Sequence, residues 1–167
     1  MLIRPETQAD HSAIAALVEA AFDNAAEARL VSKLRISASP FISLVADEAG
    51  AITGHISFSP VVLDRASTLT ILGLAPLSVA PQKQRSGIGT RLVTEGLNAC
   101  RDVSAGAVVV LGHPSYYPRF GFVRASLFNI GSEYDVADDK FMALELVPGY
   151  LKLATGIAQY HEAFRDV

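Results

Sequence analysis

The sequence predicts a mixed α/β fold of the α+β kind, with a mostly antiparallel central sheet flanked by helices. Two observations carry that expectation. Between Phe41 and Val79, three apolar runs are separated by the turn-type segments Glu48-Ala49-Gly50-Ala51 and Asp64-Arg65-Ala66-Ser67, as in strands joined by hairpins. A glycine turn then leads into a helical pattern and on to a further apolar run, Ala107 to Leu111. Meandering strands followed by one helix and one strand do not make a doubly wound sheet.

The elements follow in order. Leu2 to Pro5 is a short first strand. Thr7-x-x-Asp10 reads as a capping box, with Asp10 in place of the commoner Glu. Ile14, Leu17, Val18, Ala21 and Phe22 then keep helical spacing. A second helix covers Ala25 to Arg35, with Leu30, Val31 and Leu34 inward. Strands are expected at Phe41 to Asp47, Ile52 to Leu63 and Thr68 to Val79. Pro76 lies inside the last of these; lacking an N–H, it marks a bulge or a break. The third helix, Thr90 to Arg101, gathers Leu92, Val93, Gly96, Leu97 and Cys100 on one face. Cys100 is therefore expected to be a small buried apolar group rather than a nucleophile. Phe141 to Leu146 is a late strand, and Gly156 to Phe164 fits strand and helix equally.

Composition bounds the function. The 167 residues suit one domain, 1–167, with a real core. Half are apolar and 19% charged, which speaks against disorder. The net charge is −3 and no basic block occurs, so nucleic acid is not an expected partner. One cysteine cannot form an internal disulfide, so a cytoplasmic location is expected. Met1 to Glu6 lacks a signal pattern, and no apolar run approaches the roughly 20 residues that span a bilayer. No metal is expected.

The segment Gln84-x-x-Gly87-x-Gly89 lies between a strand and a helix. Helix starts carry unpaired N–H groups that can hold phosphate, and glycine lets the backbone approach an anion closely. Two common phosphate loops do not match. No Lys follows Gly89, as a P-loop requires, and Leu92 stands where a dinucleotide fingerprint has its third small residue.

The stretch from Leu74 to Phe122 resembles the GNAT superfamily of N-acetyltransferases. Its Q/R-x-x-G-x-G/A loop is matched by Gln84, Gly87 and Gly89, the preceding strand by Leu77-Ser78-Val79, and the following helix by Thr90 to Arg101. The next strand is matched by Ala107 to Leu111, and the Tyr-bearing turn ending in G-F by Tyr116-Tyr117-Pro118-Arg119-Phe120-Gly121-Phe122. The last segment is similar to that of a bacterial branch of the family.

The resemblance implies acetyl-CoA as co-substrate and a primary amine, of a small molecule or a peptide, as acceptor. It implies that the sheet splays between the strand before the loop and the strand after the third helix. Leu77, Ser78 and Val79 would hold the pantetheine arm, and Gln84, Arg85, Ser86, Gly87, Ile88, Gly89 and Thr90 would cradle the pyrophosphate. The Val79 N–H would polarise the thioester carbonyl. Tyr117, four residues before Gly121, takes the general-acid position, with Tyr116 as the neighbouring candidate. A homodimer is common among such folds. The alternative function is a non-catalytic acyl-CoA binding or sensing module.

The general base is not legible. Many family members carry one on the strand before the loop, yet Leu69 to Ser78 has no ionisable side chain. Glu27, His55, His113 or a water remain, with His113 nearest Tyr117 and suited in pKa range to proton transfer. His55, Ser57 and Ser59 share a strand face by alternation; a solvated sheet surface is the simpler expectation for them, an acceptor-cleft wall the other.

Overall fold

A computed structural model describes residues 1–167. Nine strands form one sheet: β1 (Leu2–Pro5), β2 (Ile42–Glu48), β3 (Ala51–Leu63), β4 (Ile71–Val79), β5 (Ala107–Leu111), β6 (Val123–Arg124), β7 (Ile130–Ser132), β8 (Phe141–Glu145) and β9 (Gly156–Tyr160). Three helices accompany it: α1 (His11–Phe22), α2 (Ala26–Ser37) and α3 (Ile88–Asp102). The order is β1-β2-β3-β4-β5-β8-β6, and β9 pairs with β3 and β7. Only β4–β5 and β7–β9 are parallel.

Most predicted elements are present, and the differences have local causes. The capping residue Asp10 accepts the Thr7 N–H at 2.7 Å, but the turn it closes is a 3-10 turn leading into α1. Asp10 also accepts two hydrogen bonds from Arg4, at 2.7 and 3.0 Å. These bonds, then the Thr7 N–H, hold its carboxyl well below the usual carboxylate range. The strand expected from Thr68 begins only at Ile71, because Ala66 and Leu69 turn back through N–H bonds to Leu63 and Ala66. The ambiguous tail resolves into β9 followed by a 3-10 turn, Glu162–Asp166. Two short strands, β6 and β7, carried no sequence signal.

The sheet's two faces bury different cores. Alternation puts Leu72 and Leu74 of β4 and Ile56 and Phe58 of β3 in one cluster with Leu92, Val93 and Leu97 of α3. Cys100 lies in that cluster, fully buried, with its thiol pushed up to about 12 by burial. Gly96 brings α3 close, since a Cβ there would stand 2.5 Å from the Phe58 ring. On the other face, Ile71 and Val61 pack with Val109 and the C-terminal strands.

His55, Ser57 and Ser59 are not on a solvated face: all three are fully buried. α1 and α2 cover this side of the sheet, with Ile14, Val18 and Val31 packed on Val45, the register partner of His55.

β4 and β5 pair only from Ile71–Ala107 to Gly73–Val109. Beyond Gly73, β4 runs on to Val79 without a β5 partner, so the two strands part. Against β3, β4 carries one extra residue between Leu74 and Leu77, a bulge at Ala75 and Pro76 opposite Ser57. Ser57 donates to the Ala75 carbonyl at 2.9 Å, satisfying the oxygen that the bulge removes from the ladder.

Candidate active site

A cavity of about 540 Å³ lies along the end of β4 that has no β5 partner. Its walls are Leu77, Val79, Gln84, Arg85, Gly87, Gly89, Thr90, Tyr116 and Arg119. Leu77 and Val79 alternate toward it, which turns Ser78 to the opposite, buried face. There Ser78 lies across from His55 in the β3–β4 register, and its hydroxyl has no hydrogen-bond partner.

The loop after β4 is shaped for an anion. Arg85 has φ of 61° and Gly87 of 90°, so left-handed residues alternate with ordinary ones and turn backbone N–H groups to one side. Gly87 is the N-cap of α3, whose first N–H groups have no acceptor within the helix. The helix dipole adds partial positive charge at that point. A Cβ on Gly89 would sit 3.2 Å from the Tyr116 hydroxyl and 3.8 Å from Val79, both of which line the cavity. Arg85 and Arg119 supply full positive charge in its wall.

The predicted loop residues divide by what they present. Gln84 lines the cavity, but its amide donates to the Val79 carbonyl at 3.2 Å and closes the loop on the strand. Ser86 is tied back to the Lys83 carbonyl. Ile88 buries its side chain in the core and presents only backbone. Thr90 Oγ1 stands 3.3 Å from the Tyr116 hydroxyl.

The two tyrosines part company. Tyr116 lines the cavity, with the Arg119 guanidinium 4.3 Å above its ring centre and Arg119 Nε donating to its carbonyl at 2.9 Å. Tyr117 is 8% exposed and packs edge-on to Phe122, against Gly112, where a Cβ would stand 2.2 Å from its ring. Burial, with Tyr116 nearby, pushes its phenol up to about 12, so it is protonated at neutral pH. Across the gap, the Tyr160 ring lies against Gly73 from the other face of the sheet. Its hydroxyl is buried without a partner, and its pKa is raised by burial first and by Tyr117 among its neighbours. The two rings thus belong to the cores on opposite faces of the sheet.

The candidate bases are dispersed. His55 donates to or accepts from Ser43 Oγ through Nε2 at 2.8 Å, while its Nδ1 is unpartnered. Burial lowers its pKa to about 4, against a raising influence from Glu6, so it stays neutral and holds a proton weakly. His113 is exposed just past β5 and is absent from the cavity wall. Glu27, in the first turn of α2, has a buried Oε2 without a partner. No carboxylate or imidazole lines the cavity itself. Sequence reasoning missed Arg119 as a wall residue, although it lies in the Tyr-Tyr-Pro-Arg-Phe-Gly-Phe segment. It also missed Tyr160, which no motif marks.

No group of His, Cys, Asp and Glu side chains could hold a metal ion, and no helix is long and apolar enough to cross a membrane.

Residues 2–125 match the model of the acetyltransferase (GNAT) domain family. The chain is 36% identical over 165 residues to the uncharacterised N-acetyltransferase YhbS of Escherichia coli strain K12, covering 98% of both proteins. It is 38% identical over 118 residues to YjhQ of the same strain, also an uncharacterised N-acetyltransferase, covering 69% of this chain and 65% of that one. The crystal structure of E. coli YhbS in complex with CoA superposes with a TM-score of 0.91 at 35% identity, covering 98% of this chain and 91% of that one. A GNAT family acetyltransferase of Brucella melitensis in complex with acetyl-CoA gives 0.80 at 37% identity, over 98% and 97% of the two chains. A mostly antiparallel sheet that parts beside a glycine-started helix is thus joined to sequence similarity along the full chain, and this protein belongs to the GNAT family of acetyltransferases.

Proposed function

We propose that this N-acetyltransferase moves an acetyl group from acetyl-CoA to a primary amine of a small molecule or peptide by direct attack. The observation that carries this is one cavity lined by the unpaired end of β4, by the loop after it and by the first turn of α3. Its backbone donors and two arginines suit a ligand with a diphosphate. CoA and acetyl-CoA occupy the two similar structures described above. When bound, acetyl-CoA supplies an activated thioester carbonyl.

The chain's own residues then have distinct tasks. Backbone N–H groups from Arg85 to Thr90 would receive the diphosphate, with Arg85 and Arg119 adding charge. Leu77 and Val79 would line the path of the pantetheine arm, and their backbone would pair with its amides. The Val79 N–H would polarise the thioester carbonyl. Tyr116 places its hydroxyl beside Thr90, at the diphosphate end. Tyr117 packs against Gly112, the residue after β5, and would be the group that protonates the departing thiolate. Its protonated phenol suits it to be the general acid. Solvent would take the amine proton, since no base lines the cavity.

Thiol release from acetyl-CoA, measured across a panel of primary amines with the acetylated product identified by mass spectrometry, tests this. Product with at least one amine is expected. Firm CoA binding with no product from any amine would favour the sensing module instead.

A further inference from the structure

A second cavity, of about 440 Å³, lies at the C-terminal end of β9. Its walls include Glu133, Tyr134, Tyr160, His161, Phe164 and Arg165. The rings are close-set: Tyr134 and Tyr160 are 5.9 Å apart between centres, and Tyr160 and Phe164 are 5.1 Å apart. Glu133 Oε1 accepts the Tyr160 N–H at 3.2 Å, which anchors its carboxylate among them. The Glu133 carboxylate thus sets a negative charge beside the two phenol rings. Arg165, the cation in the wall, is exposed at the rim. His161 accepts the Ala163 N–H through Nδ1 at 3.1 Å.

Tyr160 connects this cavity with the transfer site. It is part of the wall, its hydroxyl is buried without a partner, and its ring lies against Gly73, the last residue of β4 that pairs with β5. We propose that the Glu133–Tyr134–Tyr160–Phe164 cavity binds a positively charged group of the acceptor, so that the preferred acceptors are amines bearing a second cationic group apart from the reacting nitrogen. Ring faces and a carboxylate both attract an ammonium, and neither attracts an uncharged isostere strongly. This proposal rests on the N-acetyltransferase function, which fixes the other end of the acceptor.

The test uses the full chain labelled with ¹³C in its tyrosine rings and titrated with 1,5-diaminopentane, alone and with CoA. Saturable shifts of the Tyr134 and Tyr160 signals are expected, assigned from Tyr134→Phe and Tyr160→Phe. 1,5-Pentanediol should leave both in place. Glu133→Gln should weaken diamine binding about tenfold, and Tyr134→Leu, a second variant, should weaken it as well. With enzyme turnover, Glu133→Gln should raise KM for the diamine with little change in kcat, and leave KM for 1-aminopentane unmoved. Absent shifts, equal response to the diol, or unchanged affinity in both folded variants would overturn the proposal. The CoA titration is read separately: absence of CoA binding would overturn the acetyl-transfer function, whereas CoA binding without any diamine response would overturn only the cavity assignment.

Discussion

Tyr160 and Tyr117 lie on opposite faces of the sheet, each in a different core. Tyr160 lies over Gly73, and Tyr117 over Gly112. At both glycines a Cβ would clash with the ring: it would fall 2.8 Å from Tyr160 Cε1 and 2.2 Å from the Tyr117 ring.

If Tyr117 donates the proton, Tyr117→Phe should lower kcat by about 10²-fold or more and leave acetyl-CoA affinity almost unchanged. Steady-state kinetics beside a binding isotherm would check this. Unchanged turnover would remove Tyr117 from the chemistry, and Tyr116→Phe would then be the variant to examine.

Gly112→Ala should act on the same phenol through packing alone. The added methyl must displace the Tyr117 ring, so kcat should fall, with a stability loss of about 1–3 kcal/mol. Chemical denaturation and turnover on one sample give both numbers. A stable, fully active variant would mean that the Tyr117 position is not critical.

At the cofactor end, Gly89→Val should weaken CoA binding at least about tenfold, because the branched side chain would fill space between Tyr116 and Val79 in the cavity wall. Calorimetry on the folded variant is the check. Equal affinity would put the diphosphate elsewhere.

His55 gives a pH prediction. Its folded-state pKa, about 4, lies below the ordinary 6.5 because burial disfavours the charged ring. The unfolded chain therefore binds more protons between those values, so stability falls as pH drops from about 6.5 toward 4. The slope attributable to His55 is at most one proton, roughly 1 kcal/mol per pH unit. Urea unfolding at pH 7 and pH 5 should show this decline, and His55→Gln should flatten it.

The sequence made some of this architecture legible and hid the rest for physical reasons. The loop and α3 were readable because Gln84, Gly87, Gly89 and the Leu92–Cys100 face are local in sequence and carry period and turn chemistry. The bulge at Pro76 was readable because proline cannot serve the ladder. The burial of His55, Ser57 and Ser59 was not, since alternation tells which residues share a face but not whether helices cover it. Tyr160 and Glu133 were hidden for a similar reason. They are 27 residues apart, β9 joins them to β3 and β7 only through long-range pairing, and the Gly156–Phe164 segment has no decisive period. Tyr116 and Tyr117 are adjacent in sequence, and only the geometry of the 3-10 turn sends one to the cavity and the other to the core.

The most direct test of the central claim is calorimetric titration of the purified protein with acetyl-CoA, with ATP and NAD as controls. Saturable binding of acetyl-CoA, one per chain, with no comparable heat from the controls and loss of binding in Gly89→Val, is the predicted result. A folded protein that does not bind acetyl-CoA would mean that the Gln84–Gly89 loop is only a structural turn, and would contradict the account.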